Sequence, residues 1–362
     1  MTPTYNKVHN RFKFNGLHFS HEELKEVAYS LIKEGKPYEK VTGDFLIDWL
    51  NNKDFLVVTT SGSTGYPKQI KLKKQAMVNS AIATGNFFGL EPGDKALHCL
   101  PSHFIAGKMM FVRALVLGLE IDFVEPAAQP VFDFEKTYDF CAMIPLQLKH
   151  TIKYIDNIKN IIVGGSKVTK PLIEKIKDCK PRFYETYGMT ETVTHVAVRS
   201  LESKNGKKEP YFTALQNIKF EQDDRGCLLI HAPKLVKETL VTNDIVELKS
   251  DQSFKLLGRF DNVINSGGVK LFPEQIEDKI QPVIEERFIL VGEEDATLGE
   301  KLILIVEQPK DSVEDILKVI KELKNLEKFE VPKKIYTIDK FPETNNRKIQ
   351  RKKAAKLVLE AK

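Results

Sequence analysis

Residues 59–68 read Thr59-Thr60-Ser61-Gly62-Ser63-Thr64-Gly65-Tyr66-Pro67-Lys68, a run of hydroxyls with two glycines and a closing lysine. Glycine permits backbone conformations closed to other residues, and successive N–H groups in such a turn can converge into an anion-binding nest. The hydroxyls of Thr60, Ser61, Ser63 and Thr64 add donors around Gly62 and Gly65, and Lys68 adds a point charge. This chemistry suits a polyphosphate. It is not a G-x-x-x-x-G-K-[S/T] loop, because the spacing fails and the alternating Gln69-Ile70-Lys71-Leu72 that follows reads as a strand rather than a helix. A plain polar hairpin loop is the competing reading.

Such a loop needs rigid elements on both sides. The apolar, β-branched run Phe55–Thr59 predicts a buried strand before it, and Lys74–Phe88 a helix after it. Further strands are expected at Lys95–Leu100, Glu120–Val124, Phe140–Ile144 and Asn160–Val163, with helices at Gly107–Leu117 and Pro171–Asp178. Strands alternating with helices imply an α/β layered fold with a largely parallel sheet. Before the loop, Leu24, Val27, Ala28 and Leu31 mark a helix over Glu22–Glu34. The texture changes after Gly258. Pro273–Val283 predicts a helix with Pro in its first turn, and Phe288–Val291, Lys301–Glu307 and Lys334–Ile338 predict strands. Ser312 is expected to cap a helix carrying Val313, Ile316, Leu317, Ile320 and Leu323 on one face. The expected division is a large domain over 1–260 and a small α+β domain over 261–362.

Composition narrows the partners. The chain has 362 residues, 42% of them hydrophobic and 29% charged, so either domain can bury a core. A net charge of +5 permits an anionic small molecule without demanding nucleic acid. The basic C-terminal run of Arg347, Lys348, Arg351, Lys352, Lys353 and Lys356 reads, Lys348 apart, as a solvated tail. It lacks the interleaved aromatics of a nucleic-acid surface. Cys99, Cys141, Cys179 and Cys227 form no C-x-x-C pair and read as small buried residues. No apolar run approaches the roughly 20 residues of a membrane span, and residues 1–10 show no secretory h-region. The expectation is a cytoplasmic protein without a membrane span.

The 59–68 loop resembles the signature loop of the adenylate-forming superfamily: acyl-CoA synthetases, luciferases and peptide-synthetase adenylation domains. Other stretches resemble that superfamily's motifs in order, from about residue 55 to the end. Tyr184-Glu185-Thr186-Tyr187-Gly188-Met189-Thr190-Glu191-Thr192 resembles Y-G-x-T-E. The resemblance implies that Tyr187 stacks near adenine beside Gly188, Thr190 contacts the α-phosphate and Glu191 binds Mg²⁺. Gly164-Gly165-Ser166 resembles the adenine-side loop, with a plain strand-to-helix turn as the alternative. Thr242-Asn243-Asp244 resembles T-G-D, whose Asp takes the ribose hydroxyls; Asn243 stands where Gly is usual and is expected to tolerate a left-handed turn. In the long hinge motif, Arg259 would contact ribose or phosphate, Asp261 would be the hinge, and Gly267 and Gly268 would let the pantetheine arm of CoA pass. Pro342–Arg351 resembles P-K-T-x-x-G-K-I-x-R and makes Lys348 the adenylation lysine, with Glu343 and Arg347 departing from the pattern. The segment before the first motif is short, which implies a trimmed N-terminal domain.

The activity implied is an ATP-, Mg²⁺- and CoA-dependent acid–thiol ligase acting through an acyl-adenylate, with a mobile C-terminal domain. Leu100-Pro101-Ser102-His103-Phe104-Ile105-Ala106-Gly107-Lys108 and Arg113 resemble a stretch of the o-succinylbenzoate–CoA ligases of menaquinone (vitamin K2) biosynthesis. A dianionic aromatic acid needs a partner for its second carboxylate, for which His103, Lys108, Arg113, Thr194 and His195 are candidates. A ligase for another aryl or acyl acid, or a non-catalytic nucleotide-binding homologue, remains open. The sequence does not specify an oligomeric state.

Overall fold

The computed structural model describes residues 3–60, 68–204, 207–344 and 349–360. The chain opens with a helical pair, α1 (His21–Glu34) and α2 (Pro37–Leu50). Ser20 caps α1 reciprocally: its hydroxyl accepts from Glu23 N–H, and the Glu23 carboxylate accepts from Ser20 N–H at 2.7 Å. Leu24 and Ala28 join Phe45, Leu46 and Trp49 in a common core.

Strands Phe55–Thr60 and Lys68–Lys73 form a hairpin of their own, with Thr60 opposite Lys68. The first strand is half buried rather than buried. Leu56 and Val58 are 5% exposed, while Val57 between them is 47% exposed, because a two-stranded sheet has only one face to pack. Helices α3 (Lys74–Phe88) and α4 (Ile105–Leu117) end on left-handed glycines, Gly89 and Gly118. Two short helices follow, α5 (Pro145–Thr151) and α6 (Lys170–Ile176).

The main sheet has thirteen strands. Leu17–His18 lies antiparallel to Lys13–Phe14 at one edge, and from there the sheet is parallel through Glu120–Phe123, Lys95–His98, Tyr138–Met143, Ile158–Val163 and Arg182–Gly188. From Arg182–Gly188 onward every pairing is antiparallel, through His195–Ser200, Phe212–Ala214, Ser253–Arg259, Leu240–Ser250, Cys227–His231 and Lys219–Gln222. Parallel order therefore ends where crossover helices end: short turns can join only antiparallel neighbours.

The turn Phe260–Asn262 separates this sheet from a smaller one. The smaller sheet joins Ile264–Ser266, Val269–Leu271, Gly299–Glu307, Phe288–Asp295 and Lys334–Ile338. It packs with α7 (Pro273–Ile280), α8 (Val313–Lys321) and α9 (Arg351–Glu360). Ser312 caps α8 by accepting from Asp315 N–H at 3.1 Å. Arg351 departs from the expected solvated tail. Both its terminal nitrogens donate to Glu277 at 2.6 Å, and Nη1 also donates to Leu290 O at 3.0 Å. This bidentate pair fixes α9 against α7. Among the described residues no helix is long and apolar enough to cross a membrane.

Candidate active site

The strand ends carry the residues expected on the nucleotide side. Asp244 lies in Leu240–Ser250 and is 8% exposed. It accepts from the Tyr187 hydroxyl at 2.6 Å and from Arg259 Nη1 at 2.9 Å. Each carboxylate oxygen keeps a further lone pair, so the group can still accept from vicinal hydroxyls. The Tyr187 ring is 9% exposed and packs edge-on against Phe254 at 5.0 Å. Its hydroxyl holds Asp244, and burial followed by the neighbouring Asp244 charge pushes its phenol well up.

Asn243 does not make the left-handed turn expected of it. It sits in the extended strand and is absent from the positive-φ residues. Its side chain accepts from Arg225 Nη1 at 3.3 Å and donates to Asp261 Oδ2 at 3.2 Å. Arg225 also lies over the Phe260 ring at 5.1 Å. Asn243 and Arg225 thus brace the turn at Asp261.

Thr190 and Glu191 occupy a short 3₁₀ turn, Thr190–Thr192, beyond the strand Arg182–Gly188. Val193 follows with φ 69° and ψ −57°, and Thr194 N–H bonds back to Thr192 O at 2.8 Å. This is a γ-turn of the strained hand, in a β-branched residue, at a cost of roughly 1–3 kcal/mol. Buried Thr192 holds it: its hydroxyl receives Met189 N–H at 3.0 Å and reaches Thr194 O at 2.7 Å. A Cβ on Gly188 would collide with Thr194 O, so the strand end needs glycine there. Glu191 is exposed and no described residue pairs with it. A free carboxylate is the hard oxygen donor Mg²⁺ takes alongside water and phosphate; no group of three or more His, Cys, Asp or Glu able to hold a metal occurs among the described residues.

Gly164 and Gly165 end the strand Ile158–Val163. A Cβ on Gly164 would strike Thr186 Oγ1, and Gly165 has φ +84°. Glu185, which no sequence pattern distinguished, ties down the segment after the exposed Ser166: it accepts from Val168 N–H at 2.9 Å and pairs with Arg199.

The acid-side candidates separate. On α4, Lys108 turns toward α2, its Nζ lying 5.0 Å from the Phe45 ring centre. Desolvation lowers its pKa against the opposing pull of Asp48 and Asp44. His103 is exposed against Phe104. Arg113 is 1% exposed. Its Nη1 meets only Met110 Sδ at 3.6 Å, its Nη2 meets His195 Nδ1 at 3.5 Å, and its Nε has no partner. No carboxylate pairs with it among the described residues, and burial pushes it down to about 9, still protonated at neutral pH. His195 is also buried, with Nε2 3.4 Å from Thr84 Oγ1 on α3; Thr194 Oγ1 lies 3.4 Å from its Nδ1. The structure therefore groups Arg113, Thr194 and His195 and leaves Lys108 out.

Gly267 and Gly268, at φ +57° and +82°, form the two-residue turn between Ile264–Ser266 and Val269–Leu271. Nothing lies within 4 Å of a Cβ placed on Gly268. The small domain touches the large one through Lys167 Nζ and Asp278 Oδ2 at 2.5 Å, and through Gln275 Nε2 donating to Leu257 O at 3.1 Å. Lys68 lies on the exposed edge of its hairpin. Ser61, Gly62, Ser63, Thr64, Gly65 and Lys348 lie outside the described residues, as does the side chain of Thr60.

Comparison with known proteins identifies the family. Residues 21–214 match the AMP-binding enzyme family. The 2-succinylbenzoate–CoA ligase of Listeria innocua is 25% identical over 364 residues, covering 92% of this chain and 74% of the relative. An acyl-CoA synthetase (AMP-forming)/AMP-acid ligase II-like protein from Dyadobacter fermentans is 35% identical, covering 92% of this chain and 98% of that one, with a TM-score of 0.61. The o-succinylbenzoate CoA synthetase of Bacillus subtilis, solved with its acyl-adenylate intermediate, gives a TM-score of 0.74 at 16% identity, covering 95% of each chain. The chain belongs to the AMP-binding enzyme family and is an AMP-forming acid–thiol ligase.

Proposed function

We propose that the acid carries two carboxylates and is o-succinylbenzoate, converted through its acyl-adenylate to the CoA thioester in menaquinone synthesis. The observation behind this reading is Arg113. A buried guanidinium without a carboxylate is expensive to maintain, and an anionic substrate group would complete it. The relatives named for 2-succinylbenzoate support the choice.

One carboxylate of the acid attacks the α-phosphate of ATP, forming acyl-AMP and releasing pyrophosphate. The CoA sulfur then attacks the acyl carbon and AMP leaves. The protein's part is positioning and charge stabilisation. Asp244 receives the ribose hydroxyls, Thr190 lies toward the α-phosphate, and Lys348 neutralises charge during adenylation. Mg²⁺, held by Glu191, would neutralise charge on the departing pyrophosphate. Rotation about Asp261 withdraws Lys348 and brings Gly268 to the pantetheine path.

Mass spectrometry of purified protein with ATP, Mg²⁺, CoA and o-succinylbenzoate tests the reading. A new CoA thioester together with AMP supports it. Turnover only with other acids keeps the ligase and discards this substrate. Lys348→Ala should lose about 10²–10³-fold in adenylation while retaining thioester formation from supplied acyl-AMP.

A further inference from the structure

The groups behind Arg113 fix a hydrogen-bond direction. Thr84 Oγ1 lies 3.0 Å from Ser80 O, one turn earlier in α3. Its single proton is used there, so toward His195 the Thr84 oxygen acts as acceptor. His195 Nε2, 3.4 Å away, therefore carries the ring proton. Burial and the neighbouring Arg113 charge hold this imidazole well below its usual pKa. Nδ1 is left as a lone pair that two donors approach, Arg113 Nη2 at 3.5 Å and the Thr194 hydroxyl at 3.4 Å.

We propose that His195 is a positioning residue for Arg113: its locked Nδ1 acceptor turns the guanidinium so that its other N–H groups remain for the second carboxylate of the acid. This rests on the dicarboxylate reading above. The residue type is informative. A glutamate there would pair with Arg113 and occupy the site with an internal anion. A neutral acceptor orients the cation without quenching it.

Three substitutions separate the positions of the acceptor. Asparagine places its amide oxygen near Nδ1, glutamine reaches instead toward Nε2, and glutamate adds a charge. A cavity of about 240 Å³, lined by Ser80, Leu215, Leu235 and His195 itself, adjoins the ring, so the space a smaller side chain leaves can take water. The readout is KM for o-succinylbenzoate against KM for its monocarboxylate analogues. His195→Gln and His195→Glu should raise the dicarboxylate KM by about ten-fold or more, the scale of a lost hydrogen bond to a charged group. His195→Asn should restore it, and KM for ATP and for monocarboxylates should hold throughout. Equal loss in all three variants, or equal loss for mono- and dicarboxylates, overturns the proposal. Should the variants not fold, ¹⁵N-histidine NMR of the unaltered protein decides: an unprotonated Nδ1 shift is expected, and a protonated Nδ1 refutes the lock. Arg113→Met distinguishes the two levels. If it leaves the dicarboxylate preference intact, the substrate reading fails and takes this inference with it. If it abolishes the preference while His195→Gln preserves it, only the role of His195 fails.

Discussion

The two ends of the site treat charge in opposite ways. At the end proposed for ribose, Asp244 is held by a phenol and a guanidinium, and Asp261 by Asn243 and Arg259. At the end proposed for the acid, Arg113 is buried with a thioether and a neutral imidazole for company. A satisfied carboxylate suits a neutral ligand that asks only for acceptors, such as a sugar diol. An unsatisfied cation suits a ligand that brings its own anion. The contrast shows where the fold bears a cost that a substrate can relieve, which is where specificity for the acid should reside.

Removing Asp244 tests the satisfied end and should have the larger effect. Asp244→Ala takes from Arg259 the closer of its two carboxylate partners and should cut kcat/KM for ATP by about 10²-fold or more, leaving the KM for the acid unchanged. A comparable rise in acid KM would mean the two ends are not independent. Arg113→Met should lower kcat/KM for the dicarboxylate by about 30-fold or more. Because it replaces an uncompensated buried charge with an apolar chain, it should also stabilise the fold, by about 1–4 kcal/mol in denaturant titration. A destabilised Arg113→Met would show that the cation is already paired internally.

Two histidines extend the contrast to pH. His98, stacked on Phe123 with neither ring nitrogen bonded, is pushed down to about 3 by burial and then by Arg113. His195 is depressed for the same reasons. Below about pH 6.5 the unfolded chain binds protons at both rings that the folded chain refuses, so stability present at neutral pH is lost as pH falls. The loss should approach about 1.4 kcal/mol per pH unit for each ring. His98→Phe should remove one of the two contributions, and an unchanged slope in equilibrium unfolding between pH 6 and 4 would argue against a neutral buried His98. The smallest effect is expected at the brace: Asn243→Gly should alter the ratio of the two half-reaction rates only a few-fold, since exposed polar pairs are worth about 1 kcal/mol or less.

The sequence made the elements around the motifs legible because strands alternate with helices there. Lys95–His98, Ile158–Val163 and α4 fall close to their expected bounds. The antiparallel strands from His195 to Arg259 carry no comparable local signal. Their order depends on long-range pairing, such as Phe212–Ala214 between His195–Ser200 and Ser253–Arg259, which no local pattern specifies. Among site residues, the resemblance to the superfamily's motifs singled out Asp244, Thr190, Glu191 and Arg113. It could not show that Lys108 faces α2, that Thr192 holds a strained turn, or that Asn243 reaches the hinge. Those are properties of where side chains end, set by packing between elements distant in sequence. Arg351 is the plainest case: a basic-tail residue by composition, it is the half-buried partner of Glu277, 74 residues away.

The central claim is that Arg113 awaits the second carboxylate of the acid. The most direct measurement is the ratio of kcat/KM for o-succinylbenzoate to that for its better monocarboxylate analogue, in the unaltered enzyme and in Arg113→Met. The ratio should be large in the first and fall toward one in the second. A ratio that survives the substitution would contradict the claim.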